Sequence, residues 1–402
     1  MITRRFGHTE LEMPVFSCGG MRYQHKWQDV PLQEVPPENQ ANLEATIRQA
    51  LELGINHIET ARGYGSSERQ LGSVLPGIPR ESLIVQTKIS PLADSEVFVR
   101  QFHESLDRLQ LDYVDLLGIH GINTYESLWW TVKPGGCLEA ARRLVDAGKI
   151  RHVGFSTHAP LDVILAAINC SQGESSQNGG FDYVNLHWYY INQQNEAALE
   201  AATERDMGIF IISPADKGGM LYDPPAKLVE LCAPLHPLVF NCLFCLSRPE
   251  IHTLSLGAAR PSDFDLQLSS LPLLAEANQL LPPVLNRLRE ALHDAVGEDW
   301  ANRMDTDLPP WEETPGHMNL PVILWLRNLM LAYDMTEYGK MRYNLLGNGG
   351  HWFPGLNASQ ADQLDLSTAL KDSPFAEKIP TWLHETHSRL YQAPKQRLSQ
   401  ST

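Results

Sequence analysis

The 402-residue sequence is short of several things at once. No apolar run approaches the roughly 20 residues that a membrane-spanning helix requires, so no membrane association is expected. No cluster of lysine and arginine stands out, and the formal net charge is −16, which argues against DNA or RNA as the main partner. The opening residues, MITRRFGHTELEMP, carry arginines but no apolar core. No secretory signal is therefore expected, and the cytoplasm is the expected compartment. Cysteine is sparse: Cys18, Cys137, Cys170, Cys232, Cys242 and Cys245 are dispersed, the pattern of reduced thiols rather than of a disulfide scaffold. Cys242 and Cys245 form a Cys-x-x-Cys in NCLFC, but no second ligand pair follows. That spacing reads as one buried face of a helix, and no metal is expected.

What is present is a regular alternation. Strand-like segments VFSCGG, INHIET, LIVQTKI, VDLLGIH, HVGFST, YVNLHW, GIFIIS and TLSLGA are separated by amphipathic stretches such as ANLEATIRQALELG and VFVRQFHESLDRLQ. Apolar residues recur there at three- and four-residue spacing. With a preceding hairpin, RRFGHTELEMP, eight strands each followed by a helix predict an α/β fold, a (β/α)₈ TIM-type barrel. A doubly wound open sheet is the alternative, but it would want a glycine-rich fingerprint that SCGGMR does not supply. The alternation stops near Gln267, and the chain then becomes helical and proline-punctuated. The expected division is a barrel over 1–270, a C-terminal α-helical domain over 275–395, and a polar tail over 396–402.

In such a barrel, chemistry sits at the C-terminal ends of the strands. Those positions hold Glu59 and Tyr64, Lys88, His120, then Ser156, Thr157 and His158, then Asn185, and Ser213. An acid, a phenol, an ammonium and an imidazole from successive strands make a proton-transfer site. A lysine cation beside the phenol is expected to lower its pKa, and the carboxylate to keep the lysine charged. Each residue also has a structural reading: Tyr64 as a loop aromatic, His120 as a hydrogen-bonded core residue, Glu59 as a mere partner of Lys88. Lys88 is the hardest to explain so, because an unpaired lysine at a buried strand end costs several kcal/mol, roughly.

Across about Thr3 to Gln267 the chain resembles the aldo-keto reductases, through GINHIETARGYGSSERQLG, LIVQTKI, SLDRLQLDYVDLLGIHG, LVDAGKIRHVGFSTH and IISPADKGGML. The resemblance implies reduction of carbonyl compounds, aldehydes foremost, with NADP as cofactor and NAD as the other form. It implies Tyr64 as proton donor, Lys88 as its partner and His120 as the residue that orients the carbonyl. Glu59 stands where the family has aspartate. The longer side chain would still pair with Lys88 after a small shift of the strand end, and restoring aspartate is expected to retain or raise activity. The resemblance further implies cofactor contacts from Gly20, Met21 and Arg22, from Ser156 and Thr157 with Asn185 at the carboxamide, and from Ser213 and Lys217 at the pyrophosphate. Gly257 and Arg260 would meet the adenosine end, although Asp263 stands where many members place arginine, and Ile212 replaces a stacking tyrosine. The C-terminal part is similar to an extension that in one branch carries an iron–sulfur motif. In GGHWFPG, His351 and Trp352 are candidates to reach the substrate. A barrel that binds nucleotide as a regulatory or scaffold subunit is the alternative function.

No cysteine follows Cys245, so the thiolates that an iron–sulfur cluster needs are missing from the extension. Purified protein is expected to be colourless and to contain no stoichiometric iron or acid-labile sulfide by elemental analysis. A brown, sulfide-containing protein would contradict this.

Overall fold

In the computed structural model, which describes residues 1–170, 180–303, 308–348 and 353–392, the chain opens with an antiparallel pair, β1 (Thr3–Arg5) and β2 (Glu12–Pro14). His351, Trp352 and the tail at 396–402 lie outside the described residues. The eight strand-like segments follow as β3 (Phe16–Gly19), β4 (His57–Glu59), β5 (Ile84–Ile89), β6 (Val114–His120), β7 (Ile150–Ser156), β8 (Tyr183–Leu186), β9 (Gly208–Ile211) and β10 (Thr253–Leu256). All pair in parallel and close into a barrel, in the order β10-β3-β4-β5-β6-β7-β8-β9. Strands covered on both faces are buried at successive positions, and every residue of β5 is buried, its polar Gln86, Thr87 and Lys88 included.

The helices between strands follow from one-sided patterning. Helix Ser95–Leu109 buries Phe98, Phe102, Ser105, Leu106 and Leu109 along one face. Asp94 caps its start, accepting from the Glu96 N–H, and Gln110 in the left-handed region (φ 54°) ends it.

The closed end of the barrel is sealed by the β1–β2 hairpin. Phe6 packs against Tyr183 (ring centroids 5.7 Å apart) and edge-on to His252 at 5.5 Å. Gly7 turns at φ 56°, and a Cβ there would stand 2.4 Å from the Asp206 carbonyl oxygen, so only glycine fits. Beside it Asp182 accepts hydrogen bonds from Arg142 (2.9 and 2.8 Å), the Val153 N–H (2.7 Å) and His8 (3.2 Å).

The described residues cluster as two units. One comprises Met1–Gly218 and Asn241–Ala275; the other comprises Gly219–Phe240 together with 276–392. This differs from the division expected at 270/275. The segment around helix Ala226–Cys232 is tied to helix Ala277–Val296, where Arg287 donates to the carbonyls of Leu231 (2.9 Å) and Ala233. In the second unit, helix Leu320–Tyr333 is apolar on nearly every side and correspondingly buried. Trp300 donates to Asn328 (3.0 Å) and packs against Trp382 and Phe375. Among the described residues, no single helix is long and apolar enough to cross a membrane.

Burial alone would raise the Asp182 pKa, but His8, Arg142 and the Val153 amide outweigh it and hold the carboxyl below the ordinary range. A carboxyl lowered on folding stabilises fully above its unfolded value of about 4, and the contribution is lost as pH falls toward the lowered folded value. Asp182→Ala is expected to cost about 3 kcal/mol at neutral pH, because it leaves Arg142 without its buried partner. Urea denaturation measures this, and an unchanged midpoint would contradict it.

Candidate active site

The parallel strands of the barrel end together at one rim. The β4 strand delivers Glu59 there, and the chain then makes a tight turn in which the Tyr64 N–H donates to the Ala61 carbonyl (2.9 Å). Gly65 follows at φ 54°, where a Cβ would stand 1.9 Å from the Lys26 carbonyl oxygen. Ser66 Oγ accepts from the N–H groups of His25 (3.1 Å) and Lys26 (3.2 Å), and Gln70 Oε1 also accepts from His25 (2.9 Å). Glu68 is buried and accepts from Thr87 Oγ1 on β5 (2.6 Å). The Ser-Ser-Glu-Arg-Gln stretch after Tyr64 therefore pins the loop that carries the phenol.

Lys88, 1% exposed, comes from β5. Gly118 on the neighbouring strand leaves room for its stem, since a Cβ there would lie 3.2 Å from Lys88 Cγ. The Lys88 ammonium donates to Glu59 Oε2, to the Thr60 carbonyl (2.9 Å) and to the Tyr64 hydroxyl oxygen (3.4 Å). An ammonium has three hydrogens and no lone pair, so Tyr64 is the acceptor in that contact. The phenol's own hydrogen is not consumed by Lys88. His120 meets the Tyr64 ring edge-on at 5.8 Å, and Trp27 does so at 6.3 Å.

Burial pulls the Lys88 pKa down, but the Glu59 and Tyr64 charges raise it net, so the ammonium persists. Burial also pushes the Tyr64 phenol up; Lys88 opposes this and Glu59 adds to it, with a net rise. This corrects the expectation of a lowered phenol pKa, because desolvation exceeds the pull of a cation that Glu59 already neutralises in part. His120 is pushed down to about 3 by burial, with the Lys88 and Lys217 charges adding, so its imidazole is neutral at physiological pH.

Glu59 fits without the strand-end shift expected from the sequence. Its register opposite Gly19 is regular. The extra methylene is accommodated because residue 19 has no side chain: a Cβ there would stand 2.8 Å from Glu59 Oε1. That oxygen accepts from Ser255 Oγ on β10 (2.9 Å). Neither Gly19 nor Ser255 was evident from the sequence: Gly19 acts by lacking a side chain opposite Glu59, and Ser255 comes from β10, at the far end of the barrel sequence.

His120, Ser156 and Asn185 lie on one rung of paired strands. Asn185 is fully buried, and neither its amide oxygen nor its nitrogen has a hydrogen-bond partner among the described residues. Such a group, facing the barrel interior beside Ser156, fits a carboxamide that offers one donor and one acceptor. Thr157 is turned away, its hydroxyl donating to the Ile122 carbonyl (2.7 Å) and accepting from the Ala159 N–H (2.9 Å). At the β3 end the Gly20 N–H donates to the Glu59 carbonyl (2.7 Å), Met21 is half-buried, and Arg22 donates to the Gly257 carbonyl (2.9 Å). Arg260 is exposed and paired with Asp263 (3.2 Å), which also accepts from the Ala259 N–H (2.9 Å). Ser213 begins its loop at φ 53°, and Lys217 approaches His158 and His187. His187 and Tyr189, which join this cluster, were not singled out by the sequence.

Residues 16–224, just over half of the chain, match the model of the Aldo/keto reductase family. The chain belongs to that family. It is 38% identical over 134 residues to an L-galactose dehydrogenase of Arabidopsis thaliana, covering 31% of this chain and 41% of that protein. It is 30% identical over 193 residues to an aldo-keto reductase of Mycobacterium avium, covering 46% and 61% respectively. The chain thus spans about half the length of these curated relatives. The fold superposes on an aldo-keto reductase from Klebsiella pneumoniae in complex with NADPH, with a TM-score of 0.54 at 18% identity, over 70% of this chain and 95% of that one.

With both Glu59 oxygens engaged, shortening the acid withdraws it from Lys88 or from Ser255. The geometry therefore reverses the expectation drawn from sequence. Glu59→Asp should lower turnover, by about tenfold or more on the scale of misplacements near an ångström. Steady-state kinetics checks this, and activity equal to or above that of the native chain would contradict it.

Proposed function

We propose that this chain reduces carbonyl compounds, aldehydes foremost, with a nicotinamide dinucleotide as the hydride source and Tyr64 as the proton donor. The observation that carries the reading is the buried Lys88 ammonium, held between Glu59 and the Tyr64 hydroxyl oxygen. When bound, the reduced cofactor supplies hydride to the carbonyl carbon. Tyr64 donates its hydrogen to the carbonyl oxygen as negative charge develops there, and Lys88 stabilises the phenolate that remains. Neutral His120, beside the Tyr64 ring, is the residue to orient the carbonyl. Asn185 and Ser156 would hold the carboxamide, Ser213 and Lys217 the pyrophosphate, and Arg260 the adenosine end.

A regulatory barrel without catalysis is the weaker reading. A scaffold has no use for a lysine buried beside a phenol, and the cost of that burial favours chemistry.

Tyr64→Phe is expected to lower aldehyde turnover by at least ~10²-fold while cofactor affinity is retained. Assays of an aromatic aldehyde with reduced cofactor, together with fluorescence titration of the cofactor, test this; undiminished reduction would overturn the mechanism. Because the phenol pKa is raised, the acid form persists through neutral pH. Reduction should therefore be flat with pH up to mildly alkaline conditions and fall only above them, whereas alcohol oxidation, which needs the phenolate, should rise with pH. Asp263 offsets the charge of Arg260, so NADPH should be favoured over NADH by less than about tenfold, the scale of one exposed ion pair.

A further inference from the structure

The two carboxylate oxygens of Glu59 face different partners. Oε2 accepts from the Lys88 ammonium, and Oε1 accepts from Ser255 Oγ at 2.9 Å. A carboxylate has no hydrogen to give, so the single hydrogen of the Ser255 hydroxyl lies in that bond. Among the described residues, Oε1 has no other hydrogen-bond partner. Ser255 is 7% exposed and stands on β10, paired there with Ser17 of β3. Glu59 comes from β4, on the far side of β3. Gly19 leaves the gap in which the two meet, since a Cβ at that position would stand 2.8 Å from Glu59 Oε1 and 2.8 Å from Ser255 Oγ.

The ammonium has three hydrogens to distribute. They go to Glu59 Oε2, to the Thr60 carbonyl at 2.9 Å and to the Tyr64 hydroxyl oxygen at 3.4 Å, and the last of the measured contacts is the longer. Of the three acceptors only Glu59 is charged, and a carboxylate can take two hydrogens from one cation. Glutamate also has one more rotatable bond than aspartate, so its carboxylate turns more easily. Without the Ser255 hydroxyl, Oε1 would be a buried charged oxygen with no donor, a costly state. The ammonium already bound to Oε2 is the donor at hand. Turning Oε1 onto it would draw away the hydrogen held at the greatest distance, the one directed at Tyr64.

We propose that Ser255 is a positioning residue: it keeps Glu59 singly bonded to Lys88, so that one hydrogen of the ammonium stays on the Tyr64 oxygen. Barrel closure thereby reaches the reaction, because the last strand supplies the hydroxyl that restrains an acid on the second. The kinetic consequence rests on the reductase reading above, whereas the hydrogen-bond arrangement is read without turnover.

The test uses Ser255→Ala in the full chain. With an aromatic aldehyde and NADPH, kcat should fall by about tenfold or more, the scale of a displaced catalytic contact. KM for the aldehyde and the dissociation constant of NADPH should not change, because Ser255 acts through Glu59 and Lys88. The second measurement is the titration of Tyr64 in ¹³C-tyrosine-labelled protein, its signal assigned by loss in Tyr64→Phe. The charged groups acting on this phenol are Lys88 from β5 and Glu59 from β4, and His120 from β6 is neutral beside it. A phenolate that loses its donor is less stable, so Tyr64 should titrate at higher pH in Ser255→Ala than in the native chain. Added to Lys88→Met, where no ammonium is left to share, the same substitution should move Tyr64 little further. A Tyr64 titration that is unchanged or lowered in Ser255→Ala would overturn the proposal, as would a rise of equal size in the Lys88→Met background. An unchanged kcat, or a loss confined to KM, would also overturn it. If the native chain reduces no aldehyde, the reductase reading fails, and the Tyr64 titrations alone decide the role of Ser255.

Discussion

A lysine ammonium almost wholly removed from water is the constraint around which the barrel rim is arranged. Left alone, such a charge would shed its proton or oppose folding. Here it has three acceptors for three hydrogens, from Glu59, Thr60 and Tyr64. Each acceptor imposes a further requirement. The carboxylate needs the space above Gly19 and the hydroxyl of Ser255; the phenol needs the Gly65 turn and the lacing through Ser66, Glu68 and Gln70; the lysine stem needs Gly118. Residues distant in sequence thus serve one ion.

The same constraint explains the direction of the phenol's pKa. A bare cation nearby would favour phenolate, but the Lys88 charge is largely met by Glu59, and desolvation of the hydroxyl prevails. The proton is consequently retained at neutral pH, as the proposed proton-donor role requires. A donor of this kind is suited to reduction at neutral pH, and the neutral His120 beside it adds no competing charge.

Much of the barrel was legible in the chain because buried parallel strands and one-sided helices have distinct periods. All eight strand segments read from the pattern are strands, and Glu59, Tyr64, Lys88 and His120 do converge at one rim. What stayed hidden depends on contacts that no local pattern encodes. Ser255 looks like any small polar residue in TLSLGA until β10 closes on β3 and brings it to Glu59. Thr157 looks like a cofactor ligand until its hydroxyl is seen bonded to Ile122. The grouping of Gly219–Phe240 with the later helices depends on Arg287, more than fifty residues downstream, reaching back to two carbonyls. The loop carrying His351 and Trp352 lies outside the described residues.

The central claim is that Lys88 is a charged partner of the Tyr64 phenol. Its most direct test is the titration of Tyr64 in protein labelled with ¹³C-tyrosine, the signal being assigned by its loss in Tyr64→Phe. In Lys88→Met the cation is gone while Glu59 and the burial remain, so the phenol should titrate at a pH even higher than in the native chain. A Tyr64 pKa that is unchanged or lower in Lys88→Met would contradict the account.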